Sequence, residues 1–151
     1  MLETALGRLT SPFRCAASLL FRIATSLIFI VGGLGHFFRS DEMVARMHGS
    51  PSLPWIEFVG DPLLLLQLSG GVFVVAGLLL VVGWSTRLAA AALFVTLIPI
   101  TITIHVAPGH EGPLFKNVAI LGSLLFLVAN GAGCIALDRL RTRVAMSSPA
   151  S

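Results

Sequence analysis

Apolar stretches alternate with short polar ones along the whole chain. Four of them reach about 20 residues, the helical length that crosses about 30 Å of hydrocarbon. They cover about 17–38, 62–84, 88–106 and 114–137. A backbone inside a bilayer must satisfy its own hydrogen bonds, so each stretch is predicted to be a helix. The fold class is therefore all-α, an integral membrane four-helix bundle. Pro62 suits a first helical turn, and Pro99 inside the third span marks a kink. A basic start, Arg8 and Arg14, precedes the first span as in a signal peptide. Arg22 interrupts that apolar run and no small-x-small cleavage site follows, so the span is read as retained. The chain then divides into an N-terminal segment over 1–16, a membrane domain over 17–137 and a tail over 138–151, which ends in SSPAS and is expected to be disordered.

The one long connection lies between the first two spans. Its SDEMVARMHG places Ser40 as an N-cap, acids in the first turn and Gly49 as a stop. Met43, Val44 and Met47 share one side, which predicts a short helix lying in the membrane interface. Trp55 and Phe58 follow as aromatic anchors at headgroup level.

Polar residues fall in stripes. At about 100° per residue, Arg22, Thr25, Ser26, Phe29, Gly32, Gly33 and His36 share one face of the first span. Gln67, Gly70, Gly71, Val74 and Gly77 do so in the second, and Phe94, Ile98, Thr101 and His105 in the third. In the fourth, Lys116, Ala119, Gly122, Ser123, Phe126 and Asn130 align, with Asn117 pointing elsewhere. Small and polar faces are expected to look at protein and not at lipid. His36, Gln67, His105 and Lys116 then meet at one end, under the loop HVAPGHEGPLFKN, as candidate ligand-binding residues. Arg22 and Asn130 form a smaller polar set at the other end. Arg22 is expected either to contribute to function or to snorkel there and pair with Asn130 or a lipid phosphate.

Composition sharpens the class. Only 11% of residues are charged and 56% are apolar, against about 25% charged in soluble domains. A chain this short has too much surface to leave so uncharged in water. The net charge is +3, yet the basic residues form no run or aromatic-interleaved patch, so nucleic acid is excluded as a partner. With both termini inside, the cytoplasmic segments carry Arg8, Arg14, Arg87, Arg139, Arg141 and Arg143, and the outer loops Arg39, Arg46 and Lys116. This asymmetry predicts cytoplasmic termini. Cys15 and Cys134 are far apart and form no CxxC, so they are read as two buried free thiols. His36, His48, His105 and His110 show no metal-ligand spacing, and no metal site is expected. Nucleophile motifs, phosphate loops and dinucleotide fingerprints are absent from the sequence.

An arginine in the first span, a polar residue before GG and then AGLLLVVGWSTRLAA in the second, a histidine ending the third, and FKNVAILGSLLFLVANGAG running to LD together resemble the DoxX family. The resemblance spans about Arg22 to Asp138. It implies a four-helix protein of the bacterial cytoplasmic membrane with both termini inside, in a family linked to quinone-reducing respiratory or sulfur-oxidising complexes and to redox homeostasis. Gln67 stands where many relatives carry an acid before the glycine pair, and an amide cannot take up a proton as that acid would. Phe115, Lys116 and Asn117 keep the family's FKN.

The functional expectation is a membrane subunit of a redox or respiratory system, whose outer polar pocket holds a quinone-like or other small amphipathic ligand through His36, Gln67, His105 and Lys116. The alternative is a noncatalytic scaffold that docks another protein through the outer loop or Arg139–Arg143. A small-solute carrier is a weaker third expectation, since four short helices would need to form a homo-oligomer to build an alternating-access path. The bilayer itself and proteins of a membrane redox complex are the expected partners.

Overall fold

The computed structural model describes Glu3 and residues 9–105 and 111–139. The loop tip over 106–110, with His110, and most of the C-terminal tail lie outside the described residues. Helix α1 (Arg14–Phe38) follows a single 3-10 turn, Ser11–Phe13. Two short helices, α2 (Ser40–His48) and α3 (Leu53–Val59), lead to α4 (Pro62–Val82). Helix α5 (Thr86–Ile100) passes into a π-helical turn, Thr101–His105, and α6 (Glu111–Asn130) completes the set. Ser11–Phe38, Pro62–Val82, Thr86–His105 and Glu111–Asn130 are each long and apolar enough to cross a membrane. No strand occurs among the described residues, and the architecture is the expected four-helix bundle.

Local sequence explains the boundaries. Pro62 opens α4 behind Asp61, whose carboxylate accepts from the Leu64 N–H at 2.8 Å as an N-cap. Helix α4 ends at Gly83, in the left-handed region at φ 70°, where a Cβ would come within 2.6 Å of the Ala136 Cβ. Pro99 removes a helical N–H, and the π turn begins two residues later. The fourth helix is shorter than its apolar run suggested. It stops at Asn130 because Gly131 and Gly133 both take positive φ, which turns the chain back beneath the bundle. The connection between the first two spans holds the expected short helix, with Arg39 and not Ser40 at its N-cap and Gly49 at its end, and a second one, α3, that its periodicity did not announce. Ser50 Oγ ties this loop to the Thr103 carbonyl on the π turn at 3.0 Å.

Helices α1 and α4 approach almost backbone to backbone. A Cβ added at Gly33 would lie 2.8 Å from the Gly70 carbonyl oxygen, and one at Gly70 would lie 2.8 Å from His36 Cβ. The rest of the core is built from Phe29, Phe73, Leu80, Leu93, Leu97, Ile120, Leu124 and Leu127, with Phe29 and Phe73 meeting edge to face at 5.0 Å. Most of the helices' outer surface is apolar, as lipid contact requires. Leu20, Val31, Val75, Leu88 and Val95 are all well exposed.

Two corrections concern side-chain direction. On α6 the buried face is Asn117, Ile120, Leu124 and Leu127, so Asn117 looks inward. The aligned set Lys116, Ala119, Gly122, Phe126 and Asn130 is exposed, with Ser123 half-buried. Apolar area decided this: three large side chains on the opposite face bury more surface than a stripe of small ones. On α4, Gly70 and Gly77 are buried as expected, but Gln67 is exposed.

The α1–α4 contact predicts a sharp contrast between adjacent glycines. Gly70→Val should lower thermal stability in detergent by about 1–3 kcal/mol through overpacking. Gly71→Val, with nothing within 4 Å of its added Cβ, should leave the melting temperature unchanged. Equal losses at the two positions would refute the backbone-to-backbone packing.

Candidate functional site

The end of the bundle that carries the chain termini is organised around Arg22. Its side chain is only 1% exposed, although it lies eight residues into α1. It does not snorkel to the surface and does not pair with Asn130, whose amide instead returns to the Phe126 carbonyl at 2.9 Å. Nη1 donates to the Ala132 carbonyl, and Nη2 donates to the carbonyls of Ile135 at 2.8 Å and Val81 at 3.3 Å. These acceptors belong to the end of α4 and to the glycine-broken segment after α6, where carbonyls lack helical partners. A planar guanidinium with five N–H groups can hold several of them at once.

Asp138 works beside it. Its backbone N–H donates to the Gly83 carbonyl at 2.9 Å, and its carboxylate accepts from the N–H groups of Ser85 at 2.7 Å and Thr86 at 2.9 Å. An acid from the far end of the chain thereby caps the N-terminus of α5. It also holds Ser85 at φ 48°, the one non-glycine residue with positive φ among the described residues. Asp138 adds an opposing charge for Arg22. Two open cavities of about 470 and 480 Å³ flank this segment, one beside Thr86, Arg87 and Asn130, the other beside Arg22, Val82 and Cys134; Arg139 lines both.

The two cysteines also meet here, which corrects their reading as free thiols. Cys15, at the start of α1, is bonded to Cys134 in the segment after α6, with Cα atoms 5.2 Å apart and a sequence separation of 119 positions. Sequence distance says nothing about this approach. Only the antiparallel return of four helices brings the two ends of the chain together.

At the opposite end, His36 is buried between α1 and α4. Ser69 Oγ donates to the Leu66 carbonyl at 2.7 Å. His36 Nδ1 lies 3.1 Å from that carbonyl and 2.9 Å from Ser69 Oγ. A carbonyl only accepts, and the serine proton is already used, so the neutral ring carries its proton on Nδ1. Nε2 is then an acceptor, and no hydrogen bond engages it among the described residues. The ring also packs on Phe73 at 5.4 Å.

The other residues singled out by sequence stand differently. Gln67 and Lys116 are exposed, and His105 is half-buried at the end of the π turn. The four therefore do not form one inward-facing cluster. The polar residue that the sequence passed over is Asn117. It is buried, and its amide donates to Thr101 Oγ1 at 3.0 Å, which in turn donates to the Leu97 carbonyl at 2.7 Å. Its placement one residue after Lys116, in phase with Ile120 and Leu124, was the signal available. Among the described residues no three His, Cys, Asp or Glu side chains gather in a cluster of metal-binding size.

The Arg22 knot makes a ranked prediction. Arg22→Met leaves three carbonyls without their donor and should cost at least about 3 kcal/mol, while Arg22→Lys, a point donor unable to span them, should recover less than half of that. Asp138→Ala should cost about 1–2 kcal/mol as a lost helix cap. Thermal denaturation in detergent reads all three, and an Arg22→Lys variant as stable as the parent would contradict the arrangement.

Comparison with known proteins agrees with this architecture. The family model described as DoxX matches residues 17–106. An "Uncharacterized protein" of Haemophilus influenzae is 35% identical over 125 residues, covering 78% of this chain and 84% of the relative. The "Putative oxidoreductase CatD" of Bacillus subtilis is 31% identical over 121 residues, covering 80% and 84%. No solved structure matches significantly. With the family's span falling on the first three membrane helices and its relatives aligned over most of their length, the chain belongs to the DoxX family.

Proposed function

We propose that the protein is a redox-associated subunit of the bacterial cytoplasmic membrane that binds the head of a quinone-like ligand at the end of the bundle marked by His36. One observation carries this: an imidazole buried at a helix junction, its Nδ1–H fixed by Leu66 and Ser69, leaves Nε2 as a bare acceptor. Such an atom suits a hydroxyl donor on an otherwise apolar ring, the chemistry of a quinol head, and Phe73 against the imidazole and the half-exposed Phe37 supply apolar company. Gln67, His105 and Lys116 contribute the polar rim of the same end, meeting the ligand head from outside the bundle. The name of the Bacillus subtilis relative supports a redox setting. The count of arginines and lysine beside the spans supports cytoplasmic termini, which puts His36 on the outer side.

A second reading, a noncatalytic scaffold, has its own observation. Helix α3 presents Trp55 at 74%, Phe58 at 84% and Val59 at 73% exposure, an apolar surface suited to a protein partner as well as to the bilayer interface.

Titration of a short-chain quinol analogue into purified protein separates the two. Wild type should bind saturably, and His36→Phe should weaken binding by about 2–10-fold, the value of one lost hydrogen bond, with its melting temperature checked in parallel. Absence of saturable binding, together with a stoichiometric protein crosslinked through Trp55 or Phe58 positions, would replace the ligand reading with the scaffold.

A further inference from the structure

The geometry points to the Cys15–Cys134 disulfide as a thiol–disulfide exchange site, open to a dithiol donor through the cavity beside Arg22 and Arg139. It stands apart from the proposed quinol contact, because it lies at the opposite end of the bundle. Both cysteines also fall outside the residues that the family model matches.

Access comes first. Cys134 is exposed and Cys15 half-buried, and Cys134 lines the cavity of about 480 Å³ together with Arg22, Val82, Leu137 and Arg139. A disulfide that serves only as a staple has no need of such an opening. Charge comes second. Arg22 and Arg139 line the same cavity as Cys134, so a thiolate formed there on reduction shares its opening with two basic side chains. Positive surroundings favour thiolates, which makes these sulfurs better leaving groups and the disulfide easier to reduce.

The third observation is redundancy. The segment over 131–138 is held without the disulfide: Arg22 takes the carbonyls of Ala132 and Ile135, and Asp138 is bonded to Gly83, Ser85 and Thr86. Opening the bond therefore leaves the bundle closed, as a bond that cycles requires. On the proposed orientation the pair faces the cytoplasm, where a protein disulfide is characteristically catalytic or redox-sensing and not structural.

The reaction balances with a dithiol as the two-electron reductant. A donor thiolate attacks Sγ of Cys134, the more exposed cysteine of the pair. The S–S bond breaks, Cys15 leaves as a thiolate, and a mixed disulfide joins the donor to Cys134. The donor's second thiol then attacks its own sulfur and releases Cys134. The donor ends as a disulfide, and its two protons end on Cys15 and Cys134 or in solvent.

Dithiothreitol on the folded full-length protein, followed by counting of free thiols with a maleimide reagent, tests the bond itself. Two thiols should appear with the helical circular dichroism unchanged, and oxidised glutathione added after removal of the reductant should restore the bond. A disulfide that opens only when the helices unfold would overturn the proposal. Single-cysteine variants, which do not require the bond, test which sulfur forms the mixed disulfide more readily. With oxidised glutathione as probe, Cys134 in Cys15→Ser should form the mixed disulfide about tenfold faster than Cys15 in Cys134→Ser. Arg139→Glu in the Cys15→Ser background should slow that step by a few-fold. Equal rates at the two cysteines, or indifference to Arg139, would also overturn it. Neither outcome bears on quinol binding at His36.

Discussion

A guanidinium in a hydrocarbon-facing bundle must find acceptors, and carbonyls freed from helices in the same place must find a donor. Arg22 and the segment after α6 answer each other's need. Left alone near the middle of a membrane helix, the arginine would cost about 2.5–3.5 kcal/mol to insert. Here it is enclosed by the carbonyls of Val81, Ala132 and Ile135. Those carbonyls are available because helices end just before Gly83 and Gly131, and Gly133 turns the chain again at that level. The residues that break the helices and the residue that satisfies the breakage form one unit, and Asp138 extends it by capping α5.

That unit fixes the rest of the termini end. With the 131–138 segment pinned beneath the bundle, Cys134 reaches Cys15, and two cavities remain on either side of the pinned chain. The far end has a different logic. There the helices α1 and α4 meet through Gly33 and Gly70, and the absence of side chains at the contact brings His36 against the Leu66 carbonyl. Close backbone approach is the means by which helices associate when lipid is as apolar as their own side chains. In this bundle the same approach also sets the tautomer of a histidine.

The two ends are joined by a core in which α4, α5 and α6 contribute most of the large side chains and α1 contributes Phe29. A further polar link, Asn117 to Thr101, lies at the π turn that follows Pro99. The kink and the buried amide therefore occur together. Thr101 sits at the start of the turn, where the helix departs from its regular bonding, and its hydroxyl bridges the Leu97 carbonyl and the Asn117 amide.

The class, the four spans, the interfacial helix from Ser40 and the inward face of α1 were legible in the sequence, because each depends on local composition and on a helical repeat that acts over one or two turns. On α1 the set Arg22, Thr25, Ser26, Phe29, Gly32, Gly33 and His36 coincides in one arc, and all of it except the half-buried Gly32 is buried. On α4 and α6 two faces compete, small and polar against large and apolar. Gln67 and Lys116 turned outward and Asn117 inward once neighbouring helices claimed the bulkier face. The cysteine pairing, the capping of α5 by Asp138 and the destination of the Arg22 guanidinium join residues 52 to 119 positions apart. No local pattern encodes such distances. They were decided only when four antiparallel helices brought both ends of the chain to one side of the bundle.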